Sequence, residues 1–206
     1  KWNDRAFVSL RNHGIDHADL RMSVLVQPVV DADYAFVIHT VNPSSNDATE
    51  LYAEVVVGLG EVLVGNYPGR ALSFSVKKAT AAEAATGTKY LADGATPKVL
   101  GYPSKNVLLK IPRPTIIFRS DSNGEDLEGY AGAGLYESVP MDKESTLHAD
   151  YSGDALVWDA ETQRKVLTKI AEAGVAIEAA LGGVAQDIEG VVKDGEIYVV
   201  QTRPQV

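Results

Sequence analysis

Asp187, Glu189, Gln201 and Arg203 stand on the two arms of a segment, residues 186–206, that reads as a β-hairpin. Val191-Val192 and Ile197-Tyr198-Val199-Val200 are strand formers around Lys193-Asp194-Gly195. Turn length decides where the polar side chains point. A two-residue Asp-Gly loop pairs Lys193 with Glu196 and sends Glu189 and Gln201 to opposite faces. A three-residue Lys-Asp-Gly loop, with Gly195 left-handed in a bulge, pairs Val192 with Glu196. All four polar residues then share a face, because one residue of register turns every side chain over. Two carboxylates, an amide and a guanidinium are costly in a core. They suit Mg²⁺ and phosphate: hard oxygen ligands for the metal, a planar fork for the anion. Asp187 and Glu189 lie about 7 Å apart along their strand, a spacing for two metals or for a metal and a base. The competing reading is an ordinary edge hairpin with solvated charges.

A second stretch is Arg119-Ser-Asp-Ser-Asn-Gly-Glu-Asp-Leu-Glu-Gly-Tyr-Ala-Gly-Ala-Gly134. Its glycines let backbone N–H groups approach an anion. Arg119 and the hydroxyls of Ser120 and Ser122 offer phosphate contacts, while the neighbouring carboxylates oppose them. A solvated acidic turn fits about equally well. A third stretch, Val24-Leu-Val-Gln-Pro-Val-Val30, offers backbone groups to a flat base if it lies at a sheet edge, and is otherwise a plain core strand. His39 sits in an apolar strand and reads as a core histidine. His13, His17 and His148 have no metal-site spacing.

The elements that must position these residues are mostly strands. Residues 1–14 form an amphipathic helix. Strands are expected at 21–30, 34–41, 50–57, 71–77, 107–111 and 115–119, with a glycine turn at 58–60. Residues 79–106 read as a loop with one helical turn and as a variable insertion. Residues 162–181 form the main helix, with Val166, Ile170, Ala173, Ile177 and Leu181 on its apolar face. Gly174 weakens that helix by about 1 kcal/mol. Many strands and few helices in mixed order indicate α+β.

The chain has 206 residues, 45% hydrophobic and 23% charged, a globular composition. No apolar run approaches the roughly 18 residues of a membrane span. A net charge of −9 argues against a non-specific nucleic-acid binder. It does not exclude ATP, since screening over about 10 Å lets a few local cations hold a nucleotide. The absence of cysteine removes disulfides and thiolate sites. The start at Lys1 and the end just past a strand are read as a C-terminal fragment of a longer protein.

The combination of Met-Ser-Val-Leu-Val-Gln-Pro-Val, Phe-Val-Ile-His-Thr-Val-Asn-Pro, Gly-Leu-Gly-Glu, Arg-Ser-x-Ser-x-x-Glu-Asp-Leu and Gln-Asp-Ile-Glu…Val-Gln-Thr-Arg-Pro resembles the nucleotide-binding domain of the pyruvate phosphate dikinase and phosphoenolpyruvate synthase family. Within it the chain looks most like the α-glucan, water dikinase branch. The resemblance implies one ATP-grasp-like domain over residues 1–206, with a mixed, largely antiparallel sheet and few helices. It also implies a plastid-stroma location. The β-phosphate of ATP would pass to a histidine on a swivelling domain, then to α-glucan (starch), and the γ-phosphate to water. No histidine here matches the phosphohistidine motif, so that domain is expected outside this chain. The Gly-Gly-Lys element of pyruvate phosphate dikinases is also missing. By resemblance, Glu189 and Gln201 hold Mg²⁺-ATP, and Arg119 and Arg203 contact the phosphates as the catalytic cations. Gln27 lies at the adenine hinge, Glu54 on a strand facing the nucleotide, and Ser120 beside Arg119. Asp187 and Glu61 are set beside them by the same resemblance. The resemblance sets Glu189 with Gln201 in one site, which selects the three-residue loop and has Arg119 meet that face from elsewhere in the chain.

Overall fold

The computed structural model describes residues 3–64, 69–104, 107–111, 115–124, 126–127, 130–131, 135–136, 138–142 and 145–205. In chain order its elements are α1 (Asp4–Asn12), β1 (Met22–Pro28), β2 (Tyr34–His39), β3 (Glu50–Val57), α2 (Glu61–Val64), β4 (Leu72–Lys77), α3 (Ala81–Ala85), β5 (Lys98–Gly101), β6 (Val107–Ile111) and β7 (Ile116–Ser122). There follow β8 (Asp126–Leu127), β9 (Tyr130–Ala131), β10 (Ser138–Pro140), β11 (Ser145–Ala149), α4 (Ala155–Trp158), α5 (Ala160–Ala180), β12 (Gln186–Lys193) and β13 (Glu196–Pro204). The α+β reading holds. The chain divides into two compact units. One comprises residues 1–30, 112–145 and 206, the other residues 31–111 and 146–205.

The larger unit is built on a six-stranded antiparallel sheet in the order β13-β12-β2-β3-β4-β5. Its alternation is clean. Phe36, Ile38, Leu51, Ala53, Phe74 and Ile188 point to one face and form the core with Leu167, Ile170, Ala171 and Val175 of α5. Asp159 caps α5 by accepting from Thr162 N at 2.6 Å. Gly182 and Gly183, both at positive φ, end it before β12. The buried stripe of α5 is Leu167, Ile170, Ala171, Gly174 and Val175. It is rotated by roughly a quarter turn from the expected one, and Leu181 is exposed. Gly174 is a close-approach residue: a Cβ there would lie 2.9 Å from Leu51 Cδ1 and 3.0 Å from Ile38 Cγ2. Its intrinsic helix cost is offset by the contact it permits between helix and sheet. Residues 79–106 supply both α3, with a Thr80–Glu83 capping box, and the edge strand β5.

The hairpin corrects the expected turn. Lys193 pairs with Glu196, so the loop is the two residues Asp194-Gly195, at φ 52 and 76. That is the I′-type turn favoured by strand twist. Asp33 Oδ2 accepts from Asp194 N at 2.7 Å, and Lys169 Nζ donates to Gly195 O at 2.6 Å. The shared face survives because the ladder slips further along. Gly190 pairs with Val199 but Glu189 with Gln201, so Val200 is an extra residue in β13. This bulge does the work assigned to an odd-length turn. Gly190 sits beside it under the ring of Phe36, its partner on β2. A Cβ at Gly190 would run into Phe36 Cζ and come within 2.6 Å of its Cε2 and 2.8 Å of Tyr198 O.

The smaller unit contains α1 and the three-stranded sheet β1-β7-β10. Among the described residues β1 pairs only with β7, so it is an edge strand, and Val24, Leu25 and Val26 are exposed. The edge reading of this stretch therefore prevails over the core reading. Asn3 caps α1 by accepting from Ala6 N at 2.8 Å.

Gly190→Ala is expected to destabilise the chain by about 1–3 kcal/mol, since neither the aromatic ring nor the backbone carbonyl can move away cheaply. Chemical denaturation checks this, and an unchanged midpoint would remove the proposed role of Gly190 beside the bulge.

Candidate functional site

Cross-strand partners share a face, so the register gives the solvent-side rows of the large sheet directly. One row runs Arg203–Asp187–His39–Tyr52–Ser75. The next runs Gln201–Glu189–Val37–Glu54–Ser73. Asp187, Glu189, Gln201, Arg203 and Glu54 are thus on one face, opposite the α5 core. Glu189 and Glu54 flank Val37, about 10 Å apart at two strand spacings.

Asp187 has a definite partner. Its Oδ2 accepts from Arg203 Nε at 3.0 Å and Nη2 at 2.9 Å. The pair is largely buried, with side-chain exposures of 17% for Asp187 and 25% for Arg203. Charge-assisted bonds of this kind are the stronger ones. Asp187 therefore orients the guanidinium rather than standing ready for a metal. Tyr52 donates from its hydroxyl to Glu54 Oε1 at 2.8 Å. Burial, then the Glu54 carboxylate, pushes the phenol up to about 12.

His39 was misread. It lies on the polar face, not in the core, with Nδ1 3.7 Å from Asp187 Oδ1 and its ring stacked on Tyr52 at 6.2 Å between centroids. Strand parity was the signal available: His39 alternates with Ile38 and Thr40, both fully buried. The places of Tyr52 and Ser73 emerge only from the strand register.

In the smaller unit, Gln27 is on β1, paired with Ile117, and Arg119 is on β7, paired with Leu25. Gln27 and Arg119 therefore share a sheet face. Ser120, one residue on, faces the other way with Val24. The expected convergence of Arg119, Ser120 and Ser122 is thus split by strand alternation, because the strand runs through Ser122 where a loop was expected. Ser122 is buried, and its Oγ accepts from Gly124 N at 3.2 Å. Gly124 serves packing: a Cβ there would press into Leu10 and lie 2.9 Å from Leu20 Cδ1. Gly129, Gly132, Gly134 and the side chain of Glu61 lie outside the described residues.

Glu189 and Gln201 present hard oxygen donors directly across the ladder, both half-buried. Among the described residues no group of three or more His, Cys, Asp or Glu is placed to hold a metal alone. That donor set fits Mg²⁺ shared with phosphate oxygens, the usual arrangement for a cation that dehydrates reluctantly.

Asp187→Asn is expected to cost about 1–3 kcal/mol, because the bonds to Arg203 lose their charge. Adding Arg203→Gln should recover part of that loss, since no unpaired charge remains. A double-mutant cycle by denaturant melts measures this; strict additivity would mean the pair is not coupled.

Residues 1–92 match the family model for the AMP/ATP-binding domain of pyruvate phosphate dikinase. Over all 206 residues the chain is 61% identical to the chloroplastic alpha-glucan water dikinase of Citrus reticulata and to alpha-glucan water dikinase 1, chloroplastic, of Arabidopsis thaliana. It spans 13% and 14% of the lengths of those proteins. Phosphoenolpyruvate synthase of Pyrococcus furiosus is 25% identical over 205 residues, 98% of this chain and 20% of that protein. By these matches the chain is similar over residues 1–92 to the AMP/ATP-binding domain of pyruvate phosphate dikinase, and over its full length to a segment of the alpha-glucan water dikinases.

Proposed function

We propose that this chain binds Mg²⁺-ATP as the nucleotide domain of an α-glucan, water dikinase. The observation that carries the reading is the direct opposition of Glu189 and Gln201 on a polar sheet face, with Arg203 held alongside by Asp187. Glu189 and Gln201 would hold Mg²⁺, which when bound neutralises phosphate charge. Arg203, pre-oriented by Asp187, would meet the phosphate oxygens. Glu54 completes the polar face on β3. In the smaller unit, taken by itself, Arg119 is assigned a phosphate contact and Gln27 the base, on a shared β1–β7 face that Ser120 does not share. Phosphoryl transfer leaves little covalent work for the protein, so positioning and charge are its contributions.

In the reaction proposed for the whole protein, the β-phosphate passes to a phosphohistidine on a separate swivelling domain and on to a glucosyl hydroxyl of starch. The γ-phosphate goes to water, and AMP leaves. The plastid stroma is the compartment this reading implies, in keeping with the word chloroplastic in two relatives' names. No described helix is long and apolar enough to cross a membrane. An acceptor such as pyruvate is the alternative, and the 61% against 25% identities favour glucan. Glucan-bound phosphate with AMP release by the full-length enzyme separates it from phosphoenolpyruvate formation.

Calorimetric titration of Mg²⁺-ATP into the 206-residue chain and its Glu189→Ala variant tests the site. Losing a charged ligand to a bound cation should weaken binding at least about tenfold, the equivalent of 1.4 kcal/mol. Equal affinities would sink the assignment.

A further inference from the structure

The polar face contains a pair of side chains to which the nucleotide reading gives no task. His39 and Tyr52 are cross-strand partners, on β2 and β3, in the same row as Asp187 and Arg203. Each reaches toward a different carboxylate. His39 Nδ1 lies 3.7 Å from Asp187 Oδ1, while Arg203 donates to Asp187 Oδ2. Tyr52 turns its hydroxyl along its own strand to Glu54 Oε1, at 2.8 Å. Between them the rings stack, 6.2 Å between centroids and 27° between planes. In the adjoining row Val37 separates Glu189 from Glu54 and has no polar atom to connect them. Among the described residues, the stack lies between the Asp187–Arg203 pair and Glu54.

We propose that His39 and Tyr52 are positioning residues of the Mg²⁺-ATP site: the His39 ring limits the swing of the Asp187 carboxylate, and through it of the Arg203 guanidinium, while the Tyr52 hydroxyl holds the Glu54 carboxylate, before the ligand arrives. This rests on the nucleotide reading above. The physical gain is preorganisation. Ordering a rotamer-rich side chain on binding costs about 0.5–1.5 kcal/mol each, and a group already held escapes that cost. Neither residue needs to touch ATP for this to act. At 3.7 Å the His39–Asp187 approach is longer than a hydrogen bond, so His39 limits where the carboxylate swings rather than clamping it. Tyr52 holds Glu54 directly.

The test uses the 206-residue chain, with Mg²⁺-ATP affinity by calorimetry and thermal melts for wild type, His39→Phe, His39→Gln and Tyr52→Phe. His39→Phe keeps an aromatic partner for Tyr52 and removes the polar arm to Asp187. His39→Gln places a polar side chain of similar reach beside Asp187. Tyr52→Phe keeps the stack and frees Glu54. Affinity should fall about three- to tenfold in His39→Phe and in Tyr52→Phe, with His39→Gln recovering to within about twofold of wild type. Wild-type affinity in both Phe variants overturns the inference. So does an affinity loss that His39→Gln fails to rescue and that tracks the melting temperature, because that pattern is packing alone. If His39→Phe does not fold, His39→Gln and Tyr52→Phe decide by the same criteria. No binding by wild type removes the nucleotide reading itself, and the inference with it.

Discussion

The site depends on one extra residue in one strand. The Asp194-Gly195 turn is the short form that right-handed strand twist favours. By itself it would send Gln201 and Arg203 to the α5 side of the sheet. Val200 is inserted opposite Gly190, and the register changes by one from there outward. Gln201 and Arg203 are thereby returned to the face that carries Asp187 and Glu189. The bulge needs a partner strand that tolerates the bend, and Gly190 provides it, with Phe36 lying over the bare backbone. Turn preference and site chemistry conflict locally, and the bulge resolves them.

With the register set, the two faces of the sheet divide the labour. The inner face packs on α5, where Gly174 lets Leu51 and Ile38 approach the helix. This close packing holds the strands rigidly, so cross-strand neighbours on the outer face keep their spacing. On that face the groups are paired before any ligand binds. Asp187 takes Arg203, and Tyr52 takes Glu54. The proposed site is thus a polar surface already paired on a rigid element, as the proposed charge placement requires.

Much of this was legible without coordinates, and the limits were physical. The strand at residues 50–57 was read at its observed bounds, because β-branched residues and alternation marked it. The shared face of Asp187, Glu189, Gln201 and Arg203 was also readable, through a demand that buried polar residues have a purpose. The mechanism of that sharing was not. A bulge leaves no composition signal when the inserted residue is another valine in Tyr198-Val199-Val200. Ser120 and Ser122 were grouped with Arg119 because a glycine-rich run suggested a loop. The strand instead continues through Ser122, and alternation splits the group. His39 was read as core from its apolar neighbours, although those same neighbours, at alternate positions, fix it to the opposite face.

The central claim is that Glu189 and Gln201, brought opposite each other by the bulge, hold the metal of a bound nucleotide. A crystal structure of the chain with ATP and Mg²⁺ tests it most directly. The account predicts the metal on oxygens of Glu189 and Gln201, with phosphate oxygens completing its shell and Arg203 still held by Asp187. A triphosphate seated away from this sheet face, or Glu189 and Gln201 turned from the metal, would contradict it.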